Sequence, residues 1–449
     1  MRILIIYILF QLILCNQDTL ILVSNKVITK NDFMRRAEYS IRPGYCKSNE
    51  DIDKKIILNS LIAEKLFAIE NLEDTLINKK TSNFINGIKE QMMRKLMLEE
   101  HINKNLHIDD SSINNLYSQS QFEYQINFIT LKPHQIKKID TQETFEEISQ
   151  KLNIVPSSKN ITFFTCSNNT VWNFFYNQNV IKNGDLIGPL SLSSNDLIMI
   201  KVLKKKRNII IGADNQKRYY SEVKKHYIEF ESSKIRADFI SNIMSKKKLE
   251  FRKKSFINFA NYYQDKSNTT INFQDVLFQI NGQNWTIKDV QDIIKSRPIL
   301  FRDSYSNEED FYQEFKLALV DVIRDYFITN KAYEENYENH ITVINEIDIW
   351  LDYALAVDKK NKVLNNNINS KKYSNDYDLI ENIIKPEMEI LFNKYSEEII
   401  VDVDMLDNIK LSSIDMIGTN IKKPYQLIVP PFPMLTTKNK INYGVKKPI

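Results

Sequence analysis

The sequence predicts an α+β fold in which a small α/β domain is inserted between two helical modules. Three observations support this prediction. Apolar residues follow helical spacing through about 30–118, strand-like alternation begins near 123 and ends near 205, and the pattern that opens the first module returns near 276. The predicted segments are a signal peptide (1–15), an N-terminal helical module (16–118), the α/β domain (119–207), a long connecting helix (208–270), a second helical module (271–410) and a proline-containing extended tail (411–449).

Charge and composition exclude some classes of partner. The chain has 449 residues, a net charge of +4 and 26% charged residues, which is ordinary for a soluble globular protein of two or three domains. The basic runs at 203–208 and 245–254 are short and are read as solvated helix faces or a strand end. A nucleic-acid site would need a broader basic excess. We therefore expect no nucleic-acid partner.

The first residues resemble a secretory signal peptide. Arg2 is followed by an apolar run to Cys15 and then by polar residues, and this run is shorter than the ~20 residues that a membrane span needs. Cleavage after Cys15 is one interpretation. The other is lipidation of Cys15, although Leu14 stands where a lipoprotein usually has a small residue. Either way we expect an exported chain, with a possible membrane tether at its N-terminus.

The remaining cysteines, Cys46 and Cys166, lie far apart in the sequence. They could form one disulfide in an oxidising compartment, but two unrelated thiols are the preferred interpretation. No cysteine and histidine cluster has the spacing of a metal site, so we expect neither a metal nor a cofactor.

In the first module, a short strand (20–23) precedes a helix that Thr29 and Asp32 should cap. Further helices are predicted at 50–71 and 84–103, and a short one begins after Asp109. The last long helix carries Met92, Met93 and Met97, which suit either an adaptable binding surface or, the preferred interpretation, a plain core.

The α/β domain alternates strands and helices. Strands are predicted at 123–131, 160–165 and 196–205, with helices at 141–152 and 170–178 between them. The stretch 181–190 reads IKNGDLIGPL and uses two of only eight glycines. Gly184 would allow a positive φ, and Pro189 suits a strand edge that needs no donor. Gly184, Gly188 and Pro189 are therefore predicted to form a structural turn.

A helix is predicted at 216–252. The entry pattern of the first module, a short strand followed by a helix that a Thr and an Asp cap, then recurs near 276. Thr286 matches Thr29 and Asp289 matches Asp32, which indicates that one helical module was used twice. Helices should fill 340–395, and a strand should follow at 396–406. Three prolines at 430, 431 and 433 predict an extended tail that does not pack.

Together these motifs resemble the SurA and PrsA family, exported foldases and chaperones with a parvulin-type domain. The resemblance covers about 20–205 well and 205–270 loosely. Its most specific part is the 181–190 turn, in which Gly184, Asp185, Leu186, Gly188, Pro189 and Leu190 all match the family pattern. The resemblance implies a periplasmic protein that binds unfolded exported polypeptides.

The same resemblance implies a proline-isomerase site that this sequence has largely lost. Family members place two histidines on adjacent central strands, where this chain has Asn127 and either Leu197 or Ile198. Phe174 matches the pocket phenylalanine, although a core aromatic is the preferred interpretation, and Thr170 replaces a pocket methionine. Cys166 is read as a buried thiol, and four of the five histidines, His226 among them, lie outside the domain in sequence.

Three functions therefore remain. The first is an exported chaperone whose parvulin-like domain has little or no isomerase activity. The second is an active parvulin-type isomerase with unusual residues. The third is a non-enzymatic lipoprotein scaffold or assembly factor. The oligomeric state is left open.

Overall fold

A computed structural model describes residues 18–449 except 75–78, 138, 141, 167, 179, 193–195, 267–269, 298, 303–306, 368–371, 374, 413–428, 442–444 and 447–449. It confirms an α+β protein, 59% helical with small antiparallel sheets. Cys15 and the predicted signal peptide lie outside the described residues. Within them, none of the helices has the length and apolar character needed to span a membrane.

The strands are β1 (Thr19–Val23), β2 (Lys26–Thr29), β3 (Phe122–Leu131), β4 (Ser157–Ile161), β5 (Leu186–Ser191), β6 (Leu197–Arg207), β7 (Leu249–Phe251), β8 (Val276–Ile280), β9 (Gln283–Thr286), β10 (Ile399–Asp402) and β11 (Val445–Lys446). The helices are α1 (Lys30–Glu38), α2 (Glu50–Asp74), α3 (Lys79–Asn105), α4 (Asp110–Ser120), α5 (Pro133–Ile136), α6 (Phe145–Lys151), α7 (Asn169–Asn173), α8 (Ala213–Met244), α9 (Lys253–Gln264), α10 (Ile287–Ile294), α11 (Glu308–Glu334), α12 (Ile341–Asn366), α13 (Asp376–Leu379), α14 (Lys385–Lys394) and α15 (Val403–Asp407). Two π-helical turns, Phe174–Gln178 and Ile380–Ile384, follow α7 and α13.

The chain divides into two compact units. The large unit comprises the described residues of 1–97 and 246–449, and the small unit those of 98–245. Cys46 belongs to the large unit and Cys166 to the small one, and these two buried thiols are not joined in a disulfide.

The first sheet of the large unit joins the two ends of the chain. Its strand order is β11-β10-β1-β2, and Ile21 lies opposite Val401 in the antiparallel pair of β1 with β10. The strand predicted at 396–406 is shorter, because the Asp402 side chain accepts a hydrogen bond from the Met405 amide and starts α15.

The core beneath this sheet, which we call the first core, also takes residues from both ends of the sequence. It combines Leu20, Phe33, Leu66 and Phe392 with Phe432 and Leu435 of the tail. The described part of the tail around these residues has no helix or strand, but Phe432 is only 5% exposed and Leu435 only 3%. The prediction of a tail that does not pack is therefore wrong, because its apolar side chains fill the first core.

The repeated entry pattern has the same structure in both copies. Thr29 and Asp32 form a capping box at α1, and Thr286 and Asp289 form one at α10, which confirms both predicted helix starts. Each box follows a hairpin, β1-β2 in one copy and β8-β9 in the other.

The second copy has its own core and packs against α3. The helix predicted at 216–252 ends at Met244, because Leu249 and Phe251 pair with β8 and join this core instead. At Gly87 of α3, an added Cβ would lie 2.1 Å from the carbonyl oxygen of Ser296, so this contact requires glycine. Met93 and Met97 of the same helix are fully buried, which supports the core interpretation.

The small unit is built on one antiparallel sheet with the order β4-β3-β6-β5. Helix α6 covers one face, where Phe145 and Ile148 pack against Ile129 and Met199. Aromatic residues from 163–176 and Val223 of α8 cover the other. The strand predicted at 160–165 lies at Ser157–Ile161, because Thr162 and Thr165 hydrogen-bond to each other in a turn.

Candidate functional site

The positions expected to hold histidines lie on the two central strands of the small-unit sheet. Asn127 is on β3 opposite Lys201, and Leu197 and Ile198 are on β6 opposite Leu131 and Thr130. The described strand order makes β3 and β6 direct neighbours. The family resemblance implies adjacent central strands for these positions, and the resemblance itself stays a prediction.

The register places these positions on different faces. Directly opposite residues of an antiparallel pair point to the same face, and consecutive residues alternate. Asn127 and Leu197 therefore share the face covered by α6, where Asn127 Oδ1 accepts a hydrogen bond from Ser158 Oγ at 2.6 Å. Ile198 lies on the opposite face, which we call the aromatic face.

Phe174 also belongs to the aromatic face, where it packs against the buried cluster that contains Trp172, Phe175 and Tyr124. Its ring centroid lies 6.2 Å from that of Phe175, and the side chain is partly exposed. Thr170 lies on α7 and is exposed. Phe174 therefore combines a core contact with an accessible surface.

Phe128, which follows Asn127, is not among the site residues predicted from the sequence. Phe128 lies opposite Ile200 and packs against the same cluster as Ile198 and Phe174. Strand alternation could have found it, because Tyr124, Ile126 and Phe128 are two residues apart on the buried side. On the face shared with Phe174, the two central strands thus present Phe128 and Ile198.

Ionisable groups under the aromatic face are held in their neutral forms. Burial raises the pKa of Tyr124 to about 12, and it raises the pKa of the Cys166 thiol to about 11. Cys166 is 9% exposed, which agrees with its prediction as a buried thiol. Both groups are therefore protonated and uncharged at neutral pH.

His226 lies outside 119–207 in sequence but packs against this domain. Its ring on α8 is 5.0 Å from that of Phe163 and 5.6 Å from that of Trp172. Burial lowers the pKa of this imidazole. The aromatic contacts make His226 part of the small-unit packing.

The glycine-rich turn fixes β5 against β6. Gly184 has φ of 90° and donates its amide to the Val202 carbonyl at 2.8 Å, and Asp185 accepts from the Lys182 amide. Gly188 has φ of 112°, and a Cβ there would lie 2.5 Å from the Ile198 carbonyl oxygen. A side chain at Gly184 would be disfavoured by the backbone conformation alone. A side chain at Gly188 would also clash with the Ile198 carbonyl oxygen.

Pro189 sits in the irregular part of edge strand β5, between Ile187 and Leu190. An edge strand tolerates the missing N–H of proline. Leu190, directly after it, lies opposite Ile198 and packs against the aromatic cluster. Of the predicted turn residues, only Gly184 lies in the turn at 183–184, whereas Gly188 and Pro189 lie within β5. The strand places Leu190 as one more apolar side chain on the aromatic face.

The arrangement offers four partly exposed apolar side chains, Phe128, Phe174, Leu190 and Ile198, above an aromatic core. Such a surface can hold apolar side chains, including a proline ring.

Within the part of the chain that the structure describes, no three His, Cys, Asp or Glu side chains are grouped as metal ligands. Comparisons with protein-family models, curated proteins and solved structures found no match.

Proposed function

We propose that this protein is an exported, periplasmic folding chaperone whose parvulin-like domain binds polypeptide segments with little or no prolyl isomerisation. The observation that carries the proposal is the pair Phe128 and Ile198 on the central strands, on the face shared with Phe174. The resemblance to SurA and PrsA in the 181–190 turn supports it. The expected clients are unfolded secreted or outer-membrane proteins.

The chemistry explains why these residues matter. Rotation about a peptide bond has a barrier of about 18–20 kcal/mol, and a catalyst must stabilise the twisted imide. Phe128 and Ile198 have no hydrogen-bonding side-chain atoms, and Asn127 lies on the other face with Ser158. An apolar face of this kind can bind a proline-containing segment without lowering the barrier substantially.

The first experiment measures isomerisation of a short proline-containing peptide by the mature protein. We expect the rate to stay close to that of the uncatalysed reaction. A robust catalytic rate would contradict the proposal and favour the active isomerase. The double variant Phe128→His/Ile198→His is measured in the same assay. A higher isomerisation rate in this variant than in the wild type would place the reactive centre on the aromatic face.

The second experiment measures how the protein suppresses aggregation of a chemically unfolded client. We expect wild-type protein to suppress it, and Phe174→Ala with Leu190→Ala to weaken the effect. The matched control is Val155→Ala, because Val155 is 88% exposed in the same unit. Failure to suppress aggregation, together with tight binding to one defined protein, would favour the scaffold or assembly factor instead.

A pull-down of exported proteins separates these functions further. A diverse set of unfolded polypeptides supports the chaperone, and a single partner supports the scaffold. Membrane attachment is tested separately, by metabolic labelling with a lipid precursor in the wild type and in Cys15→Ala. Labelling that depends on Cys15 would support the tether.

A further inference from the structure

A second candidate site lies in the large unit, between strand β2 and the first half of α12. We call it the β2 groove. It is a cavity of about 840 Å³, lined by Asn25, Lys26 and Val27 on one side and by Asn345, Asp348 and Ile349 on the other. This volume is within the range of ligand-binding clefts.

The strand beside the groove has a free edge. In the order β11-β10-β1-β2, β2 is the last strand and pairs only with β1 among the described residues. Lys26 lies opposite Val23 next to the two-residue turn, so these two residues exchange the closing hydrogen bonds of the hairpin. The N–H and C=O of the next residue, Val27, therefore point outward, where an added strand could use them.

Buried ion pairs form the inner part of the groove. Asp352, only 1% exposed, lies 2.9 Å from Lys26 Nζ and 2.7 Å from Lys65 Nζ. Arg35 donates two hydrogen bonds of 2.9 Å to the carboxylate of Glu346. All three cations of the groove are thus engaged by carboxylates.

The outer part of the groove is acidic. Five carboxylates and three cations line the groove, and the exposed Asp18 and Asp348 have no ion pair with any described residue. The side-chain amides of Asn25, Asn31 and Asn345 are also exposed and have no hydrogen bond within the described ranges. Amides of this kind can pair with a peptide backbone, and the carboxylates favour a cationic side chain.

We infer that the β2 groove binds an extended, basic polypeptide segment that adds to β2 as a further strand. The backbone of the segment pairs with Val27, and its Lys or Arg side chains face Asp18 and Asp348. This inference rests on the proposed chaperone function, since it identifies one class of client segment. It concerns the large unit and is independent of the aromatic face.

The test uses the full mature protein and a labelled, end-blocked octapeptide of alternating Lys and Val, with binding followed by fluorescence anisotropy. Val27→Pro removes the outward N–H, and proline is tolerated on edge strands. Its matched control is Val27→Ala, which keeps the N–H. Asp348→Asn removes one rim charge, and Glu387→Gln is its control, because Glu387 is also an exposed helical carboxylate of the large unit.

We expect Val27→Pro to weaken binding about tenfold and Val27→Ala much less, because only the former removes a hydrogen-bond donor. Asp348→Asn should weaken binding several-fold at low salt, and Glu387→Gln should leave it unchanged. The wild-type affinity should fall toward that of Asp348→Asn at about 1 M salt, where the Debye length is ~3 Å. Asp348→Asn also tests the inference if Val27→Pro fails to fold.

Equal binding of a peptide with Glu in place of Lys would overturn the inference, as would unchanged binding by Asp348→Asn. Either result leaves the chaperone proposal intact if the wild type still suppresses aggregation. Conversely, peptide binding that depends on Val27 and Asp348 in a protein without aggregation suppression would support the groove and contradict the proposed function.

Discussion

Arg36 and Glu64 form a bidentate ion pair inside the first core of the large unit. Arg36 Nη1 and Nη2 lie 2.8 Å from Glu64 Oε1 and Oε2, and the two residues are only 3% and 1% exposed. Arg36 Nη2 also donates to the carbonyl oxygen of Pro431 at 2.9 Å. One guanidinium therefore joins α1, α2 and the tail.

Replacing Arg36 alone should destabilise the large unit. Arg36→Met leaves the Glu64 carboxylate buried without its counter-charge, and losses of this kind are about 3–5 kcal/mol. The double variant Arg36→Met/Glu64→Leu should recover most of this loss, because no charge remains buried. Urea unfolding followed by circular dichroism measures both. Equal instability of the single and double variants would contradict the explanation.

The tail should contribute to stability through its apolar side chains. Phe432 is 5% exposed within the first core, so Phe432→Ala should lower the free energy of unfolding by about 3–5 kcal/mol. Ile390→Ala is the control, because Ile390 is 62% exposed and its truncation should change stability by less than about 0.5 kcal/mol. Thermal unfolding compares the variants. Similar midpoints for both would show that the tail is not part of the core.

The two glycines of the 181–190 turn should differ in their response to alanine. Gly184→Ala meets no atom within 4 Å and carries only the conformational penalty of a positive φ, about 1–2 kcal/mol. Gly188→Ala adds a clash with the Ile198 carbonyl and should be worse. Hydrogen exchange of the β5 and β6 amides measures this. Faster exchange in Gly184→Ala than in Gly188→Ala would contradict the steric argument.

His226 should make the small unit less stable in mild acid. Burial among aromatic rings lowers the pKa of its imidazole below the unfolded value, so the unfolded chain binds the proton more readily. The unit therefore loses stability as the pH falls through about 6.5, the unperturbed pKa of histidine. His226→Phe should reduce this loss between pH 7 and pH 5. Unfolding midpoints that depend equally on pH in both proteins would contradict the prediction.

Local signals in the sequence were sufficient to predict several elements. The capping boxes at Thr29 and Thr286 depend on residues three positions apart, and both formed as expected. Helix α4 also begins where Asp109 predicted, because its side chain accepts from the Ser112 amide. Such interactions are complete within one turn of the chain, so the sequence alone specifies them.

Long-range packing was not predictable in the same way. The pairing of β1 with β10, the burial of Phe432 and the early end of α8 each depend on contacts with distant segments. At the candidate site, the sequence predicted strands around Asn127, Leu197 and Ile198 but could not show which residue shares a face with Phe174. That depends on the register of β3 with β6, which includes a shift between Gln125 and Ile126.

The pairing of β1 with β10 also has a consequence for the order of folding. Arg36 and Pro431 are 395 positions apart, so the first core cannot close until the chain has been synthesised past Pro431. The small unit is formed by one continuous segment and can close much earlier. Until Phe432 and Leu435 have been synthesised, Leu20 and Phe33 lack part of their core, and the N-terminal module is itself an unfolded segment in need of protection.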